Sequence, residues 1–225
     1  KYGPIQTVFA LLLVLGAKMC GRKIVWVLHN KGPHRQEHVK QKRFLTRFIA
    51  RHSDLILTHA REGIGLARRY DRRAEAKTCF LHHPTKNRLP KSRPTGPVMY
   101  DLLIWGQISR YKGVIEYVRY LRNNPCKGLR VCIVGACPSQ SLAEEITREL
   151  TDTITFINRS PSFEELARYV EQSAFVLEPY KPESVLRSGT LMDSLSFGAK
   201  VIGPDTGPCT DYAEDERLHA YQFRD

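Results

Sequence analysis

Five β-branched runs separated by helix-period segments dominate the second half of the chain: MYDLLIWG (99–106), LRVCIVG (129–135), ITFIN (154–158), AFVLEPY (174–180) and KVIGP (200–204). Between them, apolar residues recur at helical spacing: Val114, Val118 and Leu121, then Leu142, Ile146 and Leu150, then Phe163, Leu166 and Val170. Ser141 with Glu144, and Ser162 with Glu165, have the spacing of capping boxes that start helices. Strands separated by helices of this length predict parallel βαβ units in a doubly wound α/β sheet. Ligands of such sheets bind beyond the strand C-termini, so the residues that follow each strand carry the functional information.

The first half repeats the alternation less regularly. KIVWVLHN (23–30), DLILTHA (54–60) and TCFLHHP (78–84) read as strands. Residues 35–52 form a basic helix with an apolar stripe of Phe44, Leu45, Phe48 and Ile49, and residues 61–70 a shorter helix. The run Val8–Leu15 is too short for a bilayer span, which takes ~20 residues. With Ile5 before it and Gly21 after it, that run predicts a buried helix with a glycine stop. NRLPKSRPTGP (87–97), with three prolines and three basic residues, reads as a linker, so the expected domains are 1–92 and 93–225. Charge separates the same halves: residues 1–95 carry 21 Lys and Arg against 5 Asp and Glu (+16), and residues 96–225 carry 14 against 18 (−4). A basic half suits anionic lipid, a phosphorylated acceptor or nucleic acid. The six cysteines include no CxxC pair, which fits reduced thiols better than a zinc site.

Three segments at strand ends can carry chemistry. GQISRYKG (106–113) places Arg110 and Lys112 at the mouth of the sheet, where Arg suits bidentate phosphate recognition and Lys a point charge. Its plain alternative is a solvated basic loop. ESVLRSGTLMDSLSFG (183–198) sets Arg187 before Ser188, Gly189 and Thr190 at a helix start, where free amides favour an anion. Its plain alternative is an ordinary serine N-cap. HNKGPH (29–34) brings His29 to the end of a strand, as a ligand-contacting or a structural histidine, and HHP (82–84) is a weaker case of the same kind.

Taken in order, GQISRYKG, LRVCIVG, the EPY after a strand, SGTLMDSLSFGAKVIGP and the upstream KIVWVLHN with PH resemble family 4 glycosyltransferases of the GT-B fold. The resemblance implies two Rossmann-like lobes, the first incomplete at its N-terminus and the second lacking its terminal helices. It implies transfer of a hexose-type sugar from a nucleotide diphosphate donor, with retention and with no metal or other cofactor. Lys112 and its neighbouring Arg would hold the diphosphate together with Gly106, Gln107, Arg187 and the 188–190 turn. His29 would lie by the donor sugar, and the base would meet the chain near Asn158 and Arg159. Two positions depart from the pattern. Gln107 stands where the family has an arginine, which leaves Arg110 to supply the guanidinium. The family's paired glutamates fall at Val185 and Asp193, so Glu183 reaches the sugar-binding carboxylate position only if the loop carries two extra residues.

The expected acceptor is a sugar or a lipid-linked glycan of bacterial surface-polysaccharide synthesis, with Asn30, His34, Lys40, Arg43 and Arg47 on the acceptor or membrane side. That reading places the protein in the cytoplasm, peripheral on the inner face of the cell membrane. A GT-B-like epimerase or phosphorylase is the rival enzyme reading, although no acid and base set for both faces of a sugar is visible. A nucleic-acid-binding protein is the rival from another class; the basic half invites it, but no nucleic-acid motif appears.

Overall fold

The structure is a computed structural model that describes residues 3–29, 31, 39–88, 96–181, 186, 188–212 and 218–221. The chain divides into two compact units, Lys1–His83 with Val185–Arg187 and Pro84–Ser184 with Ser188–Asp225.

The first unit runs α1 (Pro4–Met19), β1 (Val25–Leu28), α2 (Val39–His52), β2 (Leu55–Thr58), α3 (Glu62–Tyr70) and β3 (Thr78–Phe80). Its strands form one parallel sheet in the order β1-β2-β3, with Val25 opposite Leu55 and Ile56 opposite Thr78. The core is built largely of small residues, Ala50, Ala60, Ala67 and Ala74 around Leu28 and Ile56. Asp54 joins three segments: its carboxylate accepts from Lys18 Nζ and from the Ile24 N–H, each at 2.7 Å.

The apolar helix departs from expectation. Gly21 does stop α1, with φ at +68°, but the helix is not buried. Ile5, Phe9, Leu12 and Leu13 are 63–81% exposed, and Thr7 is its buried residue. α1 packs against α2, and no described element covers the opposite face.

The second unit runs β4 (Tyr100–Trp105), α4 (Val114–Asn123), β5 (Val131–Val134), α5 (Gln140–Glu149), β6 (Ile154–Ile157) and α6 (Phe163–Glu171). It continues through β7 (Ser173–Leu177), α7 (Gly189–Ser196), β8 (Val201–Pro204), α8 (Pro208–Asp211) and β9 (Leu218–Tyr221). All six strands are parallel, in the order β6-β5-β4-β7-β8-β9. β9 follows the last strand expected from sequence. Alternation within each strand separates two apolar layers. Leu103 and Cys132, opposite one another, join Leu166, Val170 and Leu191; Ile104 and Ile133 join Val114, Val118 and Ile146.

Helix starts were legible at one site and displaced at the other. Ser162 and Glu165 form the expected capping box, the Glu165 N–H bonding Ser162 Oγ at 3.2 Å and the Ser162 N–H bonding the Glu165 carboxylate at 2.8 Å. On α5 the cap is Ser139, which accepts the Leu142 N–H at 3.3 Å, so Ser141 already lies inside the first turn. The chain enters there from Cys137, whose N–H is held by Asn158 Oδ1 at 2.8 Å.

Candidate active site: the switch point between β4 and β7

The strand order fixes where a ligand can enter. From β4 the chain moves to β5 on one side, whereas from β7 it moves to β8 on the other. The loops after β4 and β7 therefore lead off in opposite directions from adjacent strands, at the C-terminal edge where sheets of this kind take a ligand. These are the GQISRYKG loop and the segment leading to Ser188-Gly189-Thr190.

After β4 the backbone turns at Gly106, with φ at +96°, and makes a short 3-10 turn over Arg110–Lys112. Gly113, with φ at +73°, then starts α4, and a Cβ there would collide with the Pro179 carbonyl oxygen at the end of β7. The two loops thus touch through backbone, which holds the 3-10 turn close to the β7 end. Lys112 points inward. Only 7% of its surface is exposed; its Nζ lies 3.4 Å from Thr190 Oγ1 and 5.6 Å from the centre of the Tyr180 ring.

From the other side, α7 begins at Ser188, whose hydroxyl oxygen accepts the Leu191 N–H at 2.9 Å. Trp105 Nε1 donates to Ser194 Oγ at 2.9 Å and fixes α7 against β4. The amides of its first turn and the Thr190 hydroxyl therefore stand beside the Lys112 ammonium. That is the donor set of an anion site.

Beneath it lies a buried acid that sequence reasoning passed over. Glu178, one residue beyond β7, is 2% exposed and accepts the Ser188 hydroxyl at 2.8 Å. Its other oxygen is 4.0 Å from Cys209 Sγ. Burial pushes its carboxyl up, to about 7, against the lowering effect of Ser188 and Lys112. Burial pushes the Lys112 ammonium down, with Glu178 opposing. Tyr180 is raised by burial too, its hydroxyl 3.3 Å from Ser188 Oγ and its ring stacked on Tyr111 at 6.4 Å. The available signal was a charged residue closing the otherwise apolar run AFVLEPY.

The remaining expected residues are dispersed. Arg110 is not gathered with Lys112: its guanidinium donates to Glu145 on α5 at 2.7 Å, with the side chain 61% exposed. Gln107 is exposed on the loop. Asn158 lines a groove of about 900 Å³ between α5 and β6 with Phe156 and Cys137. Arg159 instead grips Glu165 with both terminal guanidinium nitrogens, at 2.9 and 2.7 Å. Asp193 accepts from Arg88 Nη1 at 2.7 Å and from Thr85 Oγ1 at 3.1 Å, while the Arg88 guanidinium lies over Phe163 and Phe197. In the first unit, His29 follows β1, and its ring lies 6.2 Å from His59, which is 4.8 Å from His83. Three strand ends thus bring histidines together, a grouping that HHP only hinted at. Lys40, Arg43 and Arg47 are exposed on α2. Asn30, His34, Glu183 and Arg187 lie outside the described residues.

Two parallel sheets with paired loops at a switch point are in keeping with the GT-B fold. No family profile matches the sequence, and no curated protein matches it. Solved structures do match the fold. Anabaena HepE in complex with UDP and glucose aligns with a TM-score of 0.71 at 15% identity, over 96% of this chain and 62% of that one. The UDP-forming trehalose-phosphate synthase of Burkholderia vietnamiensis aligns with a TM-score of 0.64 at 12% identity, over 93% and 61%. The catalytic domain of Arabidopsis thaliana starch synthase IV, bound to ADP and acarbose, aligns with a TM-score of 0.64 at 14% identity, over 98% and 60%. The chain thus spans less than two thirds of each of these chains.

Proposed function

We propose that this chain binds a nucleoside diphosphate sugar at the β4–β7 switch point and belongs to a glycosyltransferase. The observation that carries the reading is the buried Lys112 ammonium beside Gly106 and the first turn of α7. The nucleotide ligands of HepE and starch synthase IV support the same donor class. When the bond from the sugar to its diphosphate breaks, negative charge grows on the leaving oxygen. Lys112, the α7 amides and Thr190 are fixed donors for it, and need no reorganisation as it forms.

Transfer needs no divalent metal in this reading, since the sequence contains no Asp-x-Asp pair to chelate a metal diphosphate. The finer proposals are hexosyl transfer with retention and the leaving phosphate oxygen taking the acceptor's proton. His29 and Glu183 act at the sugar, and Arg187 at the diphosphate. The groove at Asn158 takes the base. The acceptor is a sugar or lipid-linked glycan of surface-polysaccharide synthesis, reached on an anionic membrane through Lys40, Arg43 and Arg47.

The test is calorimetry of the chain with UDP-glucose, ADP-glucose and their free nucleosides, followed by donor hydrolysis with EDTA. Binding that depends on the diphosphate and turnover that survives chelation are expected. Turnover that disappears with EDTA and returns with Mn²⁺ would overturn the metal-free chemistry. For the membrane side, sedimentation with anionic vesicles should be salt-sensitive and lost when Lys40, Arg43 and Arg47 become Glu.

A further inference from the structure

We propose that Asn158 is a specificity-determining residue of the donor site. Its side-chain NH2 selects a base with a carbonyl on the edge it meets, as in uracil and guanine. A base with an amino group at that place, as in cytosine and adenine, is disfavoured. The inference rests on the donor-site reading above and deepens it by naming the class of base.

Three neighbouring strand ends of the second unit are tied together at the C-terminal edge of its sheet. After β4, the Ile108 N–H donates to the Ala136 carbonyl, which follows β5, at 2.8 Å. One residue on, the Cys137 N–H donates to Asn158 Oδ1, which follows β6, also at 2.8 Å. β6 stands two places from β4 in the sheet, about 10 Å at the usual strand spacing. A nucleotide anchored by its phosphates at Lys112 crosses that distance through its ribose, which brings its base to the end of β6. The groove between α5 and β6 lies on that side, and Phe156, Ala143 and Pro138 give it an apolar lining for a flat ring.

Hydrogen-bond stoichiometry fixes what Asn158 offers there. A backbone N–H can only donate, so the carboxamide must turn Oδ1 towards Cys137. Its NH2 is then left to the groove that Asn158 lines, and no described residue accepts from it. The polar groups of the α5 wall are engaged along their own helix. The Thr147 hydroxyl donates to the Ala143 carbonyl at 2.9 Å, and Gln140 Nε2 donates to the Glu144 carboxylate at 2.9 Å. Glu144 is the acceptor that an amino-bearing base would seek, and Asn158 is the donor that a carbonyl-bearing base would seek. Asn158 stands at the strand end, tied through Cys137 and Ala136 to the loop that carries Lys112.

Uracil and cytosine separate the two cases. Both are pyrimidines with a carbonyl at position 2, and they differ at position 4, where uracil has a carbonyl and cytosine an amino group. An NH2 facing position 4 donates to the uracil oxygen. Facing cytosine it opposes another donor, and both lose their bonds to water without replacement. Guanine and adenine differ in the same sense at position 6.

The experiment is titration calorimetry of the chain with UDP, CDP, GDP and ADP. Wild type should bind UDP about three- to tenfold more tightly than CDP, and GDP more tightly than ADP by a similar factor. Asn158→Asp keeps the shape of the side chain, and one carboxylate oxygen can still accept the Cys137 N–H. The other oxygen then offers the groove an acceptor in place of a donor. That variant should bind all four more weakly, because of its added charge, and its ratio of UDP to CDP affinity should reverse in favour of CDP. A residue that only held the Cys137 loop would leave the ratio where it was. The wild-type ratios need no variant, so they test the proposal even if Asn158→Asp fails to fold. Equal affinity for UDP and CDP in wild type, a preference for CDP or ADP, or an unchanged ratio in Asn158→Asp overturns the selectivity and leaves the donor site standing. Failure of all four diphosphates to bind overturns the donor site itself, and the proposal with it.

Discussion

Gly106 and the Lys112 ammonium occupy adjoining space: a Cβ on Gly106 would stand 2.9 Å from Lys112 Nζ and 3.2 Å from Thr190 Oγ1. The missing side chain at the end of β4 therefore gives the lysine its place as well as allowing the turn at φ +96°. Gly106→Ala should push Nζ away from Thr190 and weaken UDP-glucose binding by about tenfold or more, the value of one charged hydrogen bond of about 1.5–3 kcal/mol. Calorimetry on the folded variant checks this. Unchanged affinity would mean that Lys112 does not meet the phosphates.

Arg110 and Lys112 are two residues apart and differ in what they can contribute. Lys112→Met should cost tenfold to hundredfold in affinity for UDP and UDP-glucose, and little for uridine. Arg110→Ala should cost about twofold or less, because its guanidinium is mostly exposed and held by Glu145. Equal losses in both variants would show that Arg110 leaves Glu145 when the donor arrives.

That contrast also marks what the sequence could reveal. Strands and helices of the second unit were legible because apolar periodicity is strong there, and so was the C-terminal edge as the place to look. Arg110 and Lys112 look equivalent on paper. Only the 3-10 turn, fixed by the contact of Gly113 with Pro179, sends one inward and the other out to α5. Glu178 was hidden for a related reason: its partners Ser188 and Cys209 are 10 and 31 residues away, and no local pattern announces them. α1 misled in the opposite direction, since its apolar face says that something should cover it without saying what.

The Gly113 contact makes its own prediction. Gly113→Ala combines a left-handed backbone at φ +73° with a collision against the Pro179 carbonyl, so it should destabilise the second unit by about 2 kcal/mol or more. Gly189 offers the control, as a Cβ there meets nothing within 4 Å. Gly189→Ala, at the first position of α7, should be neutral or stabilising by up to about 1 kcal/mol. Urea titrations of both variants check the pair. Equal effects would mean that crowding at Pro179 does not hold the loops together.

In the first unit the stability of β1 and α1 should depend on acid through Asp54. The hydrogen bond from Lys18, then that from the Ile24 N–H, hold its carboxyl at about 2, below the ordinary 3.8. A carboxyl depressed in the folded state binds its proton more readily when unfolded. Its contribution is therefore complete above the ordinary value and is lost as pH falls through about 2. The chain has two tryptophans, and Trp26 lies in β1, so a Trp105→Phe background makes fluorescence report on the first unit alone. In that background the urea midpoint should drop between about pH 4 and pH 2, more steeply than in Asp54→Asn. The Asn variant should start less stable at neutral pH and converge with the parent in acid, because a protonated Asp54 can no longer hold Lys18 as an ion pair. Two curves that stay parallel across the whole range would mean that the Asp54 link adds nothing to the fold.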